Sequence, residues 1–367
     1  MTSLYIHIPF CQSKCFYCSF VVSVGQRHRV DDYLDCLSRE AQQCREVECA
    51  SVFVGGGTPS YLEADQLERL FKIVKDNFLV RPDAEYTIEA NPESLDAAKL
   101  KVLRSRGVNR ISLGIQSFHP HCLKYLGRHH DQLQAREIYQ MIRDAGFTNV
   151  NLDLMFGFPK QTLEEIEQDV AALTALKSDH ISLYMLNLEE NSRFYAQKIQ
   201  LPDDDLQAKQ YAFVLAGLEH AGYRQYEISN FAKPGKESRH NLNYWQGGEY
   251  LGLGVGAHSY RQGKLFWNVS RLNTYMTKMR GEGFAVDGSQ QLDAHGRLKQ
   301  AVLIGLRMNR GVPVESVEQA LRCSLNEEER ERIEHFIRHG FFIREDGYLK
   351  ATSKGRLVLD ELCSQLS

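Results

Sequence analysis

One local pattern recurs six times along this chain. Short apolar runs, "SLYIHI" (3–8), "SVFV" (51–54), "EYTIEA" (85–90), "RISLGI" (110–115), "VNLDLMFG" (150–157) and "HISLYML" (180–186), are each followed by an amphipathic stretch at helical spacing. Those stretches cover residues 29–44, 63–78, 95–106, 132–145, 162–175 and 205–220, and "RQYEIS" (224–229) reads as the strand that closes the series. Strands alternating with helices require right-handed crossovers and build a parallel sheet. The strands read as apolar with little alternation, which fits a sheet covered on its outer face by helices and curled on itself. The expected fold is therefore α/β, an incomplete TIM-like (β/α) barrel, with a doubly wound open sheet as the alternative. In both architectures ligands bind beyond the C-terminal ends of the strands.

The pattern breaks near residue 235. "KPGKESRHNLNYWQGGEYLGLGVGAHSY" is a glycine- and aromatic-rich connector. From about 290 the chain turns helical and ends in "FFIREDGYLKATSKG", a hairpin with "DG" as its turn, and a last helix. Three units are expected: a core barrel over 1–232, a connector over 233–289 and a smaller C-terminal helical, winged-helix-like domain over 290–367. The mixed signs of "NEEERERIEHF" suit packing or partner contact better than DNA.

Charge narrows the function classes. Lys and Arg number 44 against 47 Asp and Glu, a net charge of -3, which leaves no overall footprint for nucleic acid. The opening "MTSLYIHIPF" has no basic segment followed by an apolar one, and no apolar run approaches the roughly 20 residues of a membrane span. A cytoplasmic, reducing location is expected, in which the nine cysteines need not form disulfides. Cys36, Cys44, Cys49, Cys122, Cys323 and Cys363 are scattered and read as small core hydrophobes.

The other three cysteines, Cys11, Cys15 and Cys18 in "FCQSKCFYCSF", lie on one loop after the first strand. Disulfides use pairs and a closed structural zinc site uses four ligands. Thiolates are the usual ligands of a cubane iron–sulfur cluster; three of them bind three irons and leave the fourth open. Zinc with a distant fourth ligand and reduced surface thiols are the alternatives. Strand two ends in "GGGTP", whose glycines permit close approach of a ligand to the backbone.

A cysteine loop of spacing C-x3-C-x2-C with Tyr17 before the third cysteine, followed at this interval by a triple glycine, resembles the radical S-adenosylmethionine (SAM) superfamily. The likeness extends through "LYIHIPFCQSKCFYC", "FVGGGTPS", "TIEANPESL", "RISLGIQSF", "LGRHH", "LDLMFGFPKQT", "QYEISNFA", "RHNLNYW" and "YLGLGVGAHSY", which follow the order of the oxygen-independent coproporphyrinogen III oxidase-like family. The resemblance implies a [4Fe-4S] cluster on Cys11, Cys15 and Cys18. It implies SAM contacts at Tyr5, Tyr17, Gly56, Gly57, Thr58, Glu89, Gln116, Arg128, Asp153 and Met155.

True coproporphyrinogen dehydrogenases carry a further cysteine two positions after the third, where this chain has Phe20, and an N-terminal extension. These departures move the resemblance to the HemW-type heme chaperones of that family, which implies bound heme, recipient hemoproteins and an electron donor. Ser19 departs from the aspartate commoner there. His240 in "RHNLNYW" is the axial-ligand candidate by motif, ahead of His258, of His129 and His130, and of Cys323. The competing expectations are a SAM-dependent coproporphyrinogen III dehydrogenase, a related radical SAM methyltransferase, and a module whose cluster is purely structural.

Overall fold

A computed structural model describes residues 2–323 and 326–366, with side chains for all of these except 320–323. Six parallel strands, β1 (Thr2–Ile8), β2 (Val47–Gly56), β3 (Phe78–Ala90), β4 (Arg110–Gln116), β5 (Val150–Phe156) and β6 (His180–Met185), lie in sequence order in one sheet. The helices that return the chain are α1 (Val30–Gln43), α2 (Ala64–Asn77), α3 (Ala97–Ser105), α4 (Gln132–Asp144), α5 (Leu163–Ala175) and α6 (Asp204–His220). Each lies within two residues of its expected span. Local chemistry explains the sharp starts: Thr162 and Glu165 form a reciprocal capping box at α5, and Asp96, Asp131 and Asp203 cap α3, α4 and α6. The architecture is the incomplete (β/α) barrel.

The strands are not apolar throughout; they alternate strictly. Leu4, Ile6 and Ile8, Ile88 and Ala90, Ile111, Leu113 and Ile115, Leu152 and Leu154, and Ile181 and Leu183 pack against the helices in the main core. Each such Leu or Ile contributes roughly 1.5–3 kcal/mol by leaving water. The intervening positions, Ser3, Tyr5, His7, Ser51, Glu85, Thr87, Glu89, Arg110, Ser112, Asn151, Asp153, His180 and Ser182, share the opposite face. A barrel of this type is ordinarily filled with branched aliphatic side chains. Here its interior is polar, because the apolar layer belongs between sheet and helices alone.

The end of the series differs from expectation. Residues 224–229 do not form a seventh parallel strand. Only β7 (Arg224–Gln225) is extended, and β8 (Asn230–Ala232) turns back to pair antiparallel with β6. Residues 233–289 are more than a connector. They supply helix α7 (Arg239–Trp245) and the strands β9 (Tyr250–Leu253), β10 (His258–Arg261), β11 (Lys264–Asn268) and β12 (Val286–Gln291). β9 pairs parallel with β1, and the other three extend that edge antiparallel, so the sheet reaches twelve strands. Glu40 on α1 locks this extension in place, accepting from Gly254 N–H, Asn268 Nδ2 and Tyr275 O–H.

Beyond residue 293, helices Ala294–Gly305, Val314–Cys323 and Glu327–Arg338 pack on a three-stranded sheet ordered 312–313, 348–351, 342–345 around a second core. The hairpin turns at Asp346 and Gly347, both at positive φ, as the "DG" pair requires. This is the winged-helix-like domain. Asn309 ties it to the barrel through its N–H to Tyr226 O and its Nδ2 to Gln225 O.

Candidate cofactor site

All six strand ends point toward one cavity of about 570 Å³ at the C-terminal rim. Cys11, Cys15 and Cys18 line it from the loop after β1, and Gly56, Gly57 and Thr58 from the turn after β2. Glu89 enters from β3, Gln116 from β4, Asp153 and Met155 from β5, and Tyr17 and Arg128 from loops. Tyr5 alone among the ten expected SAM contacts does not line it. It sits one layer lower on β1, with its O–H 3.0 Å from Nδ1 of His7.

The glycine turn has no room for side chains. A Cβ on Gly56, whose φ is 111°, would stand 2.5 Å from the His7 ring. On Gly57 it would stand 2.9 Å from Cys11 Sγ and from the carbonyl oxygens of Ile8 and Phe10. Glu89 accepts the Gly56 N–H at 3.0 Å, which aims a carboxylate at the turn. His7 holds the returning cysteine loop: its Nε2 donates to Val21 O at 2.8 Å, and the same ring accepts from Tyr5 on its other nitrogen. Gln116 ends β4 at φ 69°, in the left-handed region, where the strand register shifts. Such backbone strain collects at ligand sites.

Burial sets the electrostatics. It pushes the Cys11 thiol up to about 12, with a partial offset from the Thr58 O–H at 3.4 Å, and it raises Cys18 as well. Iron must therefore displace protons from this loop to bind thiolate. Burial and the neighbouring Asp153 carry Glu89 up to about 8, and burial carries Asp153 to about 6. Arg128 donates to Gly114 O at 2.8 Å, approaches Cys15 Sγ at 3.7 Å and pairs with Glu93 at 3.6 Å. Burial opposes the charge on Glu93, yet His130 and Arg128 hold it down at about 2.

The residues present fit a sulfonium nucleotide beside a cluster. Gln116 Oε1 and Arg128 Nε are buried at the cavity without hydrogen-bond partners, and a Cβ would fill the glycine cradle. Three soft thiolate donors suit iron and sulfide, and among the described residues no fourth cysteine lines the cavity. Among the described residues no three His, Cys, Asp or Glu side chains converge as ligands of one metal ion.

His240 lies elsewhere. It is 1% exposed, in α7 beneath the barrel, and both ring nitrogens are engaged. Ser51 Oγ donates to Ser3 Oγ, so it accepts from His240 Nδ1 at 2.9 Å, and His240 Nε2 accepts from the Tyr244 O–H at 3.0 Å. Burial and the nearby Arg110 hold its imidazole neutral, down to about 3. His240, the axial-ligand candidate by motif, is therefore folded under the sheet with neither ring nitrogen free in this structure. His130 is likewise occupied, by Ile115 O and Glu93. His258 and His129 are both exposed; Nδ1 of His258 donates to Gly256 O at 3.1 Å, and its ring lies over Trp267 at 5.9 Å. The side chain of Cys323 lies outside the described residues. Cys36, Cys49 and Cys122 are buried and Cys44 and Cys363 half-buried, all unpaired.

Sequence reasoning passed over Asn91, Glu93, Ser112 and Tyr184, which also line the cavity. Ser112 and Tyr184 carried a usable signal, the same strand parity as Gln116 and Asp153.

A barrel of this shape with three thiols on the loop after β1 and a glycine turn after β2 defines a radical SAM protein. The Radical SAM superfamily model matches residues 5–173, and that of the HemN C-terminal domain matches residues 292–358. Heme chaperone HemW of Bacillus subtilis is 34% identical over 373 residues, 99% of this chain and 98% of that one. Heme chaperone HemW of Escherichia coli is 36% identical over 371 residues, 98% of this chain and 96% of the relative. The solved structure of the Escherichia coli coproporphyrinogen III oxidase HemN, a radical SAM enzyme, superposes with a TM-score of 0.87 at 27% identity, covering all of this chain and 89% of that one. The chain belongs to the HemW heme chaperone family. Membership in the radical SAM superfamily implies SAM and a [4Fe-4S] cluster.

Proposed function

We propose that this chain is a cytoplasmic heme chaperone that carries a [4Fe-4S] cluster on Cys11, Cys15 and Cys18, binds SAM in the rim cavity, and hands heme to recipient hemoproteins. When bound, the cluster supplies one-electron chemistry and an open iron for a sulfonium nucleotide. The chain's residues do the rest. Gly56 and Gly57 admit the methionyl end to the backbone, Glu89 and Asp153 face its positive charge, and Arg128 faces its carboxylate. Gln116 and Met155 close the adenosine side, and Tyr17 and Thr58 hold the loop. The barrel of 1–232 is the cofactor unit in this reading, residues 233–289 brace it, and 290–367 offers a surface to a partner.

The observation that carries the reading is the exposed Phe20 (66%) where a dehydrogenase has its extra cysteine, in a chain that matches HemW relatives end to end. No helix among the described residues is long and apolar enough to cross a membrane, which agrees with a cytoplasmic protein. For the heme iron, His258 has the fitting geometry. A ring that donates its Nδ1–H to a backbone carbonyl leaves Nε2 as a free lone pair, the usual arrangement of a histidine ligand.

Anaerobic reconstitution with iron and sulfide, followed by heme titration, tests the proposal. A stoichiometric Soret shift supports it; an intact cluster with no heme complex rejects it. The whole-chain likeness to coproporphyrinogen III oxidase favours a second reading, and vinyl-bearing porphyrinogen formed at catalytic turnover would establish that one instead.

A further inference from the structure

The cysteine loop and the glycine turn are joined by hydrogen bonds that run back to a buried lysine. Gly57 N–H donates to Ile8 O at 2.8 Å and Thr58 N–H to Phe10 O at 2.9 Å, which fastens the turn after β2 to the chain entering Cys11. The buried Thr58 hydroxyl then donates to Cys11 Sγ at 3.4 Å. Asn91, just beyond β3, fixes the direction of that bond. Its Nδ2 donates to Thr58 Oγ1 at 3.1 Å, and a hydroxyl has one hydrogen, so that hydrogen is left for the sulfur. A thiolate has no hydrogen to give, so the bond keeps its sense once Cys11 is a metal ligand.

Asn91 is itself held. Its N–H donates to Ser60 Oγ at 3.1 Å, Ser60 Oγ lies 2.6 Å from Ser94 Oγ, and Ser94 Oγ donates to Asn91 O at 3.3 Å. Lys99 on α3 is buried and donates from Nζ to Ser60 O and to Ser94 O, both at 2.8 Å. One ammonium thus clamps the two short turns, Pro59–Tyr61 and Pro92–Ser94, that follow β2 and β3. Thr58 and Asn91 directly precede those turns, so the clamp sets their separation and with it the aim at Cys11. Hydrogen bonds to ligating sulfurs, and the partners that orient them, tune an iron–sulfur cluster. Such a bond is stronger where water is excluded, and Cys11 is the buried one of the three loop cysteines.

We propose that Asn91 and Thr58 set the reduction potential of the cluster: Asn91 orients the Thr58 hydroxyl, and that hydroxyl raises the potential by stabilising negative charge at Cys11 Sγ. The inference rests on the reading above that Cys11, Cys15 and Cys18 hold the cluster. Asn91 is a positioning residue in this arrangement, since the atom that meets the ligand sulfur belongs to Thr58. Arg128 Nη1, 3.7 Å from Cys15 Sγ, acts in the same sense at a second ligand.

The test is an anaerobic redox titration of the reconstituted protein, read by the electron paramagnetic resonance of the reduced cluster and run without SAM. Thr58→Val keeps the shape and loses the hydroxyl. It lowers the equilibrium constant for one-electron reduction roughly threefold to tenfold, about 28 to 59 mV toward more negative potential. Thr58→Ser keeps most of the wild-type value. Asn91→Ala frees the hydroxyl to turn and gives a smaller negative shift; in the Thr58→Val background it gives none. If Thr58→Val assembles no cluster, Asn91→Ala decides, a negative shift supporting the inference and an unchanged midpoint overturning it. An unchanged midpoint in fully loaded Thr58→Val overturns it too, as does an Asn91→Ala shift of equal size with and without the hydroxyl. A wild type that assembles no cluster overturns the cofactor reading itself, and this inference with it.

Discussion

The floor and the mouth of the barrel are made of the same residue types with opposite outcomes. At the floor, His240 has a partner on each ring nitrogen and Glu85 accepts three hydrogen bonds. At the mouth, Gln116 Oε1 and Arg128 Nε are buried without partners, and the backbone at Gln116 is left-handed. A buried polar group that is fully paired within the chain is spent on structure. One left unpaired at a cavity is available to a ligand. The contrast separates two candidates that sequence motifs offer, the cysteine loop and the "HNLNYW" histidine.

The sharpest way to break this comparison is Cys15→Ser. It removes one of three iron ligands at the mouth, so iron and sulfide content after anaerobic reconstitution should fall to background while circular dichroism keeps the α/β signature. A variant with a full complement of cluster would place the site elsewhere. Next in size, Glu85→Ala strips three floor donors of their acceptor and should cost about 3 kcal/mol in urea unfolding. Cluster assembly should survive at temperatures where the variant stays folded. A loss below about 1 kcal/mol would show that the floor is not held by this carboxylate.

The third prediction concerns pH. Glu89 at about 8 and Asp153 at about 6 lie above the ordinary carboxylate range because the ligand-free barrel disfavours their charged forms. A cationic ligand needs those forms. SAM affinity should therefore fall as pH drops from about 8.5 to 6.5, by up to roughly tenfold per unit, in dialysis of the loaded protein. The ligand-free fold should respond in the opposite sense, since a raised carboxylate stabilises below its unfolded value and that stability is lost as pH rises through the folded one. A flat binding profile would remove both carboxylates from the ligand.

The smallest effect separates the histidines. His258→Ala should weaken heme binding about tenfold, on the order of 1.4 kcal/mol for one lost axial contact, read from the Soret titration. His240→Ala should leave heme affinity within about twofold and lower stability by about 2 kcal/mol through the unpaired Ser51 and Tyr244 hydroxyls. The reverse result would mean that α7 moves away from the floor when heme arrives.

Much of the molecule was legible before any coordinates, and the reason is locality. Helices α1 to α6 follow from 3.6-residue periodicity and caps a few residues away, and the three thiols sit within eight positions of one loop. Parity along each strand was also local, yet its polar half was overlooked when the strands were read as apolar. Ser112 and Tyr184 were missed for that reason. Residues 233–289 were misjudged for a different one: that β9 joins the β1 edge is a pairing between residues some 250 positions apart, which no short-range pattern encodes.

The sequence by itself determined the barrel's repeating unit, the thiol loop and the glycine turn, because each is set by contacts between near neighbours in the chain. Only the tertiary structure decided that His240 is sealed under the floor and that His258 stands at the surface. Those outcomes depend on which distant segments supply hydrogen-bond partners and exclude water, and burial and pairing of that kind exist only once the sheet has assembled.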